Sequence, residues 1–438
     1  MEMKVEILSR TLVKPFSSTP NDLRNYKLSL LDQFIPEFHI GIVFFYSPTT
    51  NNDQSFNEKS QTLKKSLSET LTLFYPIAGR FKDTATIDCN DEGSCLIEAK
   101  INSKLSDFLD QPGLETVGKL VPTLDSETME MATKCLLIVQ ATLFECGGMA
   151  ISFCFEHRFG DMSSEVTFLK NWIAIARGFD QELELDIPIF NGASFLPPID
   201  LPPLPAVDNP IERRKTTRLV FESSKIAALK KLSGQEHLSR VEVVLALILK
   251  SAITATRSIS SSSSTAQSVI FQSVNLRKRL VPPLPENSIG NLFWSLPALI
   301  EEKFMEFHEI VAKIREVKME FYEEKVHKIK DSDEGRLLIF ESLKERGEIM
   351  FKIDDPNLYM CSSWCNFPFY EMDFGWGKPI WVSNGVFSSR NVIVLEDTKC
   401  GTGIEAWVNL APQIMSLFER DEELLSFALL NPKVPHLS

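Results

Sequence analysis

A proline run near the middle limits what this chain can fold into. Residues 196–214 carry six prolines, beginning LPPIDLPPLP. Each proline fixes φ and removes a backbone donor, so the stretch can form neither a helix interior nor a central strand. It is expected to be a stiff crossover that divides the chain into halves of similar length, 1–195 and 215–438. The full 438 residues can bury an ordinary core without disulfides or metal. A second break, SISSSSS at 258–264, reads as a low-complexity surface loop.

Each half mixes helices and strands. Leu63, Leu67, Leu71 and Phe74 recur at helical spacing over 59–74, and the run stops at Tyr75-Pro76. Segments 136–144 and 149–157 read as two strands turned by Cys146-Gly147-Gly148. A helix is expected over 165–177, with Phe168, Leu169, Trp172 and Ile175 inward and Gly178 as its stop. In the second half, 240–257 reads as an apolar helix. Segments 268–276, 391–396 and 403–410 read as strands, 301–346 as largely helical, and 412–430 as one final helix. The expected fold class is therefore α/β in the mixed (α+β) sense, two halves joined by one crossover.

Charge excludes some functions. Lys+Arg number 46 against 59 Asp+Glu, a net charge of −13. That balance lacks the basic face wanted by nucleic acid or an anionic membrane, so neither is expected as a partner. The opening MEMKVEILSR has no signal-peptide core, and no run of about 18 uncharged apolar residues occurs. A cytoplasmic protein is expected. Eight cysteines form no CxxC pair and have no histidine cluster beside them. They read as buried free thiols, with no metal site expected. Dinucleotide and P-loop glycine patterns are absent.

Among six histidines, His39, His237, His308, His327 and His436 are placed in helical or loop contexts with no chemical partner. His157 stands apart. It ends a strand in which Ile151, Phe153 and Phe155 share its parity, so its ring turns to the apolar side. Gly160 and Asp161 follow, and then a helix. This geometry sets an imidazole at the end of a sheet. Asp161 can cap the helix, or fold away and anchor the turn against a cation. Three further segments accompany this HxxxD: YPIAGR at 75–80, VNLR at 274–277, and DFGWGKP at 373–379, preceded by SSWC at 362–365.

In this order and at these distances, with Asp32-Gln33 near the start, the motifs resemble the plant BAHD acyltransferases over essentially the whole chain. HxxxD and DFGWG are that family's two signatures, the second far more specific. The stretches SSWCNFPFYEMDFGWGKPIWV and LFECGGMAISFCFEH are most similar to the subgroup of alkaloid O-acetyltransferases. The resemblance implies two chloramphenicol-acetyltransferase-like domains, 1–195 carrying HxxxD and 215–438 carrying DFGWG. A channel is expected between them with His157 at its centre. It also implies transfer of an acyl group, acetyl being the expected one, from acyl-CoA as co-substrate to a hydroxyl of a plant specialised metabolite, an alkaloid for this subgroup. A monomer with no permanently bound cofactor is implied.

By the same resemblance His157 is the general base. Asp161 turns away to pair with Arg277, and Trp364 and Ser362 face the oxyanion. Asp373 is carried as a third catalytic candidate, although in the family it belongs with Phe374, Gly375, Trp376 and Gly377 to a structural loop. No acyl-enzyme is required, so Ser163 and Ser164 are read as helix-start residues. The Arg277-Lys278-Arg279 run is a candidate counter-patch for the coenzyme's phosphates. Two departures stand out: Met162 where the family has glycine, and Glu156 before His157, which strand alternation sends to the opposite face. Two other readings stay open. One is an N-acyltransferase for amines or polyamines in the same family; the other is a metabolite-binding homologue without catalysis.

Overall fold

The computed structural model describes residues 3–48, 55–110, 113–122, 134–178, 185–201, 214–259, 267–301, 303, 305–353, 355–385 and 390–434. Most of the proline crossover (202–213), most of the serine run (260–264) and His436 lie outside the described residues. The first half holds β1 (Val5–Val13), β2 (Asn25–Lys27), β3 (His39–Tyr46), β4 (Arg80–Phe81), β5 (Thr86–Asp88), β6 (Ser94–Ile101), β7 (Leu137–Phe144) and β8 (Met149–Glu156). The second holds β9 (Lys215–Phe221), β10 (Ser268–Asn275), β11 (Phe293–Ile300), β12 (Leu358–Ser363), β13 (Trp381–Asn384), β14 (Asn391–Asp397), β15 (Ile404–Leu410) and β16 (Leu429–Leu430). One sheet runs β1-β6-β7-β8-β3-β13, a second β11-β10-β12-β14-β15-β9-β16, and β2-β5-β4 form a small third.

Two helices cover the first sheet. The Phe56–Leu73 helix begins three residues before the leucine periodicity, because Ser55 and Glu58 close a capping box. The Met162–Ala176 helix also begins early, capped by Asp161. Its Phe168 packs edge-on to Phe155 at 5.5 Å and its Trp172 to Phe153 at 5.6 Å. The Trp172 Nε1–H donates to Ser66 Oγ at 2.8 Å and ties the two helices together. In the second sheet, Ile270, Cys361, Ile393, Ala406 and Val408 bury one face against the helices Arg240–Ile259, Phe307–Glu320 and Pro412–Phe418. Alternate residues point the other way. Val394 and Trp407 on that opposite face join the core of the first sheet.

Two expectations are corrected. The assignment of DFGWG to a 215–438 domain fails locally, because the chain crosses back. β13 pairs with β3, Trp381 opposite Phe45 and Asn384 opposite Ile42, and Trp364, Phe369, Phe374, Trp376 and Trp381 all lie in the first core. An apolar strand edge needs a partner, and this aromatic segment needs apolar cover. The 301–346 region is largely helical as expected: one helix spans Phe307–Glu320 and runs on through shorter helical turns to Lys328, and a second, capped by Ser332, spans Asp333–Lys352. The final helix is two, Pro412–Phe418 and Glu422–Phe427, because Asp421 caps a new start. Leu429 and Leu430 then pair with β9.

Candidate functional site

His157 leaves β8 with its backbone N–H donating to Phe38 O at 2.9 Å. Its Nδ1 lies 3.1 Å from Gly160 O. A carbonyl can only accept, so Nδ1 carries the hydrogen and Nε2 keeps its lone pair. The half-buried ring sits edge-on to Phe38 at 4.9 Å and faces Phe293 of β11 at 6.0 Å. One neighbour belongs to the first half and the other to the second sheet, so the imidazole stands where the two meet. Burial pushes its pKa below the ordinary 6.5, although the Gly160 carbonyl, Asp161 and Glu156 pull upward. The ring is therefore neutral at pH 7.

The turn that carries it is fastened across that junction. Asp161 fills both roles open to it. Its Oδ1 accepts from Ser164 N at 3.1 Å, capping the helix, and its carboxylate pairs bidentately with Arg277 at 2.8 and 2.9 Å. Arg277 is fully buried. Its other N–H groups donate to Ser288 O at 3.0 and 2.8 Å and to Gly290 O at 3.2 Å. Charge-assisted bonds in a dry, planar fork are the strong kind. Asn291 Nδ2 donates to His157 O at 2.8 Å and to Asp32 Oδ1 at 2.9 Å. Asn275 Nδ2 donates to Ser163 Oγ at 3.0 Å. Ser164, read from sequence as a mere helix start, bridges Asp161, Arg277 and Gly290.

Sequence reasoning missed Ser288, Gly290 and Asn291. Their only signal was a Gly-Asn pair ahead of a strand. Gly290 has φ +135°, a conformation other residues rarely adopt, and a Cβ added there would lie 3.5 Å from the Asp32 carboxylate.

The proposed phosphate patch at 277–279 is corrected, since Arg277 is sealed inside. Lys278 and Arg279 are exposed; Lys278 pairs with Glu286 at 3.4 Å and Arg279 donates to Asn275 O at 2.6 Å. Glu156 is buried and held by Arg158 through Nε and Nη2 at 2.7–3.1 Å, and Arg158 lies over the Phe81 ring at 3.9 Å. Met162 is buried in the first core. His39 opens a strand, and its Nε2 lies 3.0 Å from Cys135 O. Cys400 is exposed and Cys146 and Cys365 are half-buried, against the expectation of uniformly buried thiols.

Trp364 and Ser362 come to the same end of the second sheet as His157. Phe293, which faces the imidazole, pairs with Asn275. Gln272 pairs with Cys361, and three steps on Asn275 falls beside Trp364. Two strand spacings of about 4.8 Å put Trp364 about 10 Å from Phe293. The Trp364 ring packs against Phe369 at 6.3 Å and its backbone N–H donates to Leu395 O at 2.6 Å. Ser362 lies two residues back on the same face. Ser273, in a strand flanked on both sides, is exposed there, so this face of the sheet is open.

Asp373 does not join them. Its Oδ1 accepts from Gly375 N at 2.8 Å and Gly377 N at 2.9 Å, and both glycines have φ near +105°. Phe374 and Trp376 stack at 5.5 Å, and Phe374 meets Trp172 at 5.3 Å. Asp373 Oδ2 lies 4.0 Å from Arg177, at the far end of the helix that Asp161 caps. Fifteen helical residues span about 22 Å at 1.5 Å each, so Asp373 belongs to the loop and not to the imidazole. Asp373→Ala should therefore lower the unfolding midpoint, at about 1–3 kcal/mol for the lost loop bonds, and leave kcat per folded molecule within a few-fold. A kcat loss matching that of a His157 variant, in protein of unchanged stability, would contradict this role.

Among the described residues no group of three His, Cys, Asp or Glu is placed to hold a metal ion, and no helix is long and apolar enough to cross a membrane. The sequence matches the Transferase family over residues 3–425. It is 38% identical over 429 residues to akuammiline synthase 1 of Alstonia scholaris, covering 97% of each chain. It is 36% identical to limonoid 1-O-acetyltransferase of Citrus sinensis, covering 98% of this chain and 99% of that one. The crystal structure of vinorine synthase superposes with a TM-score of 0.84 at 32% identity, covering 97% and 98%. HxxxD and DFGWG sit on this shared fold, and the chain belongs to the Transferase family, the BAHD acyl-CoA-dependent acyltransferases.

Proposed function

We propose that the enzyme moves an acetyl group from acetyl-CoA to a hydroxyl of a plant alkaloid, working as a cytoplasmic monomer. Relatives named for akuammiline synthesis and for limonoid acetylation support an alcohol acceptor and an acetyl donor. The observation that carries the chemistry is the locked, neutral His157, with Nδ1–H held by Gly160 O and Nε2 left as a base.

In this reading Nε2 takes the proton of the acceptor hydroxyl as that oxygen attacks the thioester carbon. The tetrahedral intermediate carries an oxyanion, which the Trp364 indole N–H and the Ser362 hydroxyl stabilise. Collapse re-forms the carbonyl and breaks the C–S bond. The imidazolium then gives its proton to the departing thiolate, so ester and free coenzyme thiol leave a neutral histidine. Asp161 and Arg277 act only by holding the turn.

The test is purified protein with several acyl-CoAs against a panel of alkaloid alcohols, terpenoid alcohols and amines, products read by mass spectrometry. Acetylated alkaloid alcohols are expected; exclusive amide products would overturn the reading. The pH profile is a second check. Only the neutral imidazole is a base, and burial depresses its pKa. The acid limb of kcat/KM should therefore fall below pH 6.5. An acid limb above 6.5 would contradict it.

A further inference from the structure

The open face of the second sheet holds a row of three hydroxyls. Ser273 pairs with Ser295, and one step beyond the Gln272–Cys361 pair Ser273 lies beside Ser362. Cross-strand neighbours share a face, so Ser295, Ser273 and Ser362 stand side by side at intervals of about 4.8 Å. The row that carries Asn275 and Trp364 lies two residues, about 7 Å, along the strands. On the other side is an apolar row, Pro297, Phe271 and Met360, where Arg346 covers the Phe271 ring at 5.6 Å. Strand backbone groups are consumed by the ladders. The polar atoms offered to a ligand lying here are therefore these hydroxyls. Ser273 is exposed, and Ser295 Oγ is buried with no hydrogen-bond partner among the described residues, a vacancy that costs free energy until something fills it.

We propose that Ser273 and Ser295 are specificity residues of the acyl acceptor, hydrogen-bonding a second oxygen of the alcohol while its reacting hydroxyl reaches His157. This rests on the acyltransfer reading above. The acceptor is favoured over the coenzyme's phosphates because the row presents uncharged hydroxyls beside apolar Pro297, Phe271 and Met360, a lining for a neutral ligand. The hydroxyl row and its apolar neighbour suit an uncharged polycyclic alcohol with more than one oxygen.

Two measurements test it. With the best alcohol of the panel, Ser273→Ala and Ser295→Ala should each raise the acceptor KM about 2- to 10-fold, the worth of one net hydrogen bond. The KM for acetyl-CoA should stay within twofold and the unfolding midpoint unchanged. A shift confined to the acetyl-CoA KM overturns the assignment. The second measurement needs no turnover, so it stands even if the acyltransfer reading fails. Ligand-observed NMR should show cyclohexane-1,3-diol binding the wild type more tightly than cyclohexanol, and the double variant binding both equally. A preference that survives in the double variant, or diol displaced by free coenzyme A, overturns it.

Discussion

Replacing His157 with alanine should lower kcat by roughly 10²–10⁴-fold, the usual worth of a positioned general base. Secondary structure and unfolding midpoint should change little. Among the described residues the imidazole makes one hydrogen bond, to Gly160 O, while the turn itself is held by Asp161, Arg277 and Asn291. The removed ring leaves a gap between Phe38 and Phe293, so acceptor binding should survive. Steady-state kinetics beside thermal unfolding decides the matter. Retained turnover in a folded variant would remove His157 from the mechanism, and a loss explained by unfolding would make it structural.

The second large effect is expected at Arg277. Arg277→Met removes the counter-charge of a buried carboxylate and strips Ser288 O of its donors. Breaking a buried pair from one side costs about 3–5 kcal/mol, because the other charge is left stranded. Activity should fall as well, by up to about 10²-fold, since a misplacement of about 1 Å in a base is enough. Asp161→Asn should be milder, because its side-chain oxygen can still cap Ser164 N. The double variant should be less damaged than the two losses added, as expected for groups in contact. Urea unfolding and kcat across the four proteins give the coupling directly. Strict additivity would mean that the pair does not hold the turn.

How much of this was legible follows from sequence distance. The β7–β8 hairpin was readable because apolar runs flank a glycine turn and its partners are neighbours. His157 at the strand end followed from parity alone. The Asp161–Arg277 pair spans 116 residues, so residue types could offer only a carboxylate and a cation; the resemblance supplied the match. Ser288 and Gly290 act through backbone carbonyls, which no side chain announces. The open face of the second sheet was invisible because the exposure of Ser273 depends on strand order. The residues of β13 are four in number, too short for a period, and their partner lies over 330 positions upstream.

That last pairing has a consequence for how the protein is made. β3 cannot be closed on its outer side until β13 exists, so the HxxxD half is unfinished when its own sequence ends. A ribosome adding about 5–20 residues per second needs about 17–70 s to pass from Tyr46 to Asn384. Through that interval the nascent chain carries an apolar β3 edge able to pair with another chain. The early half is thus a client for chaperones, and a gene cut at the proline run should yield an insoluble first fragment.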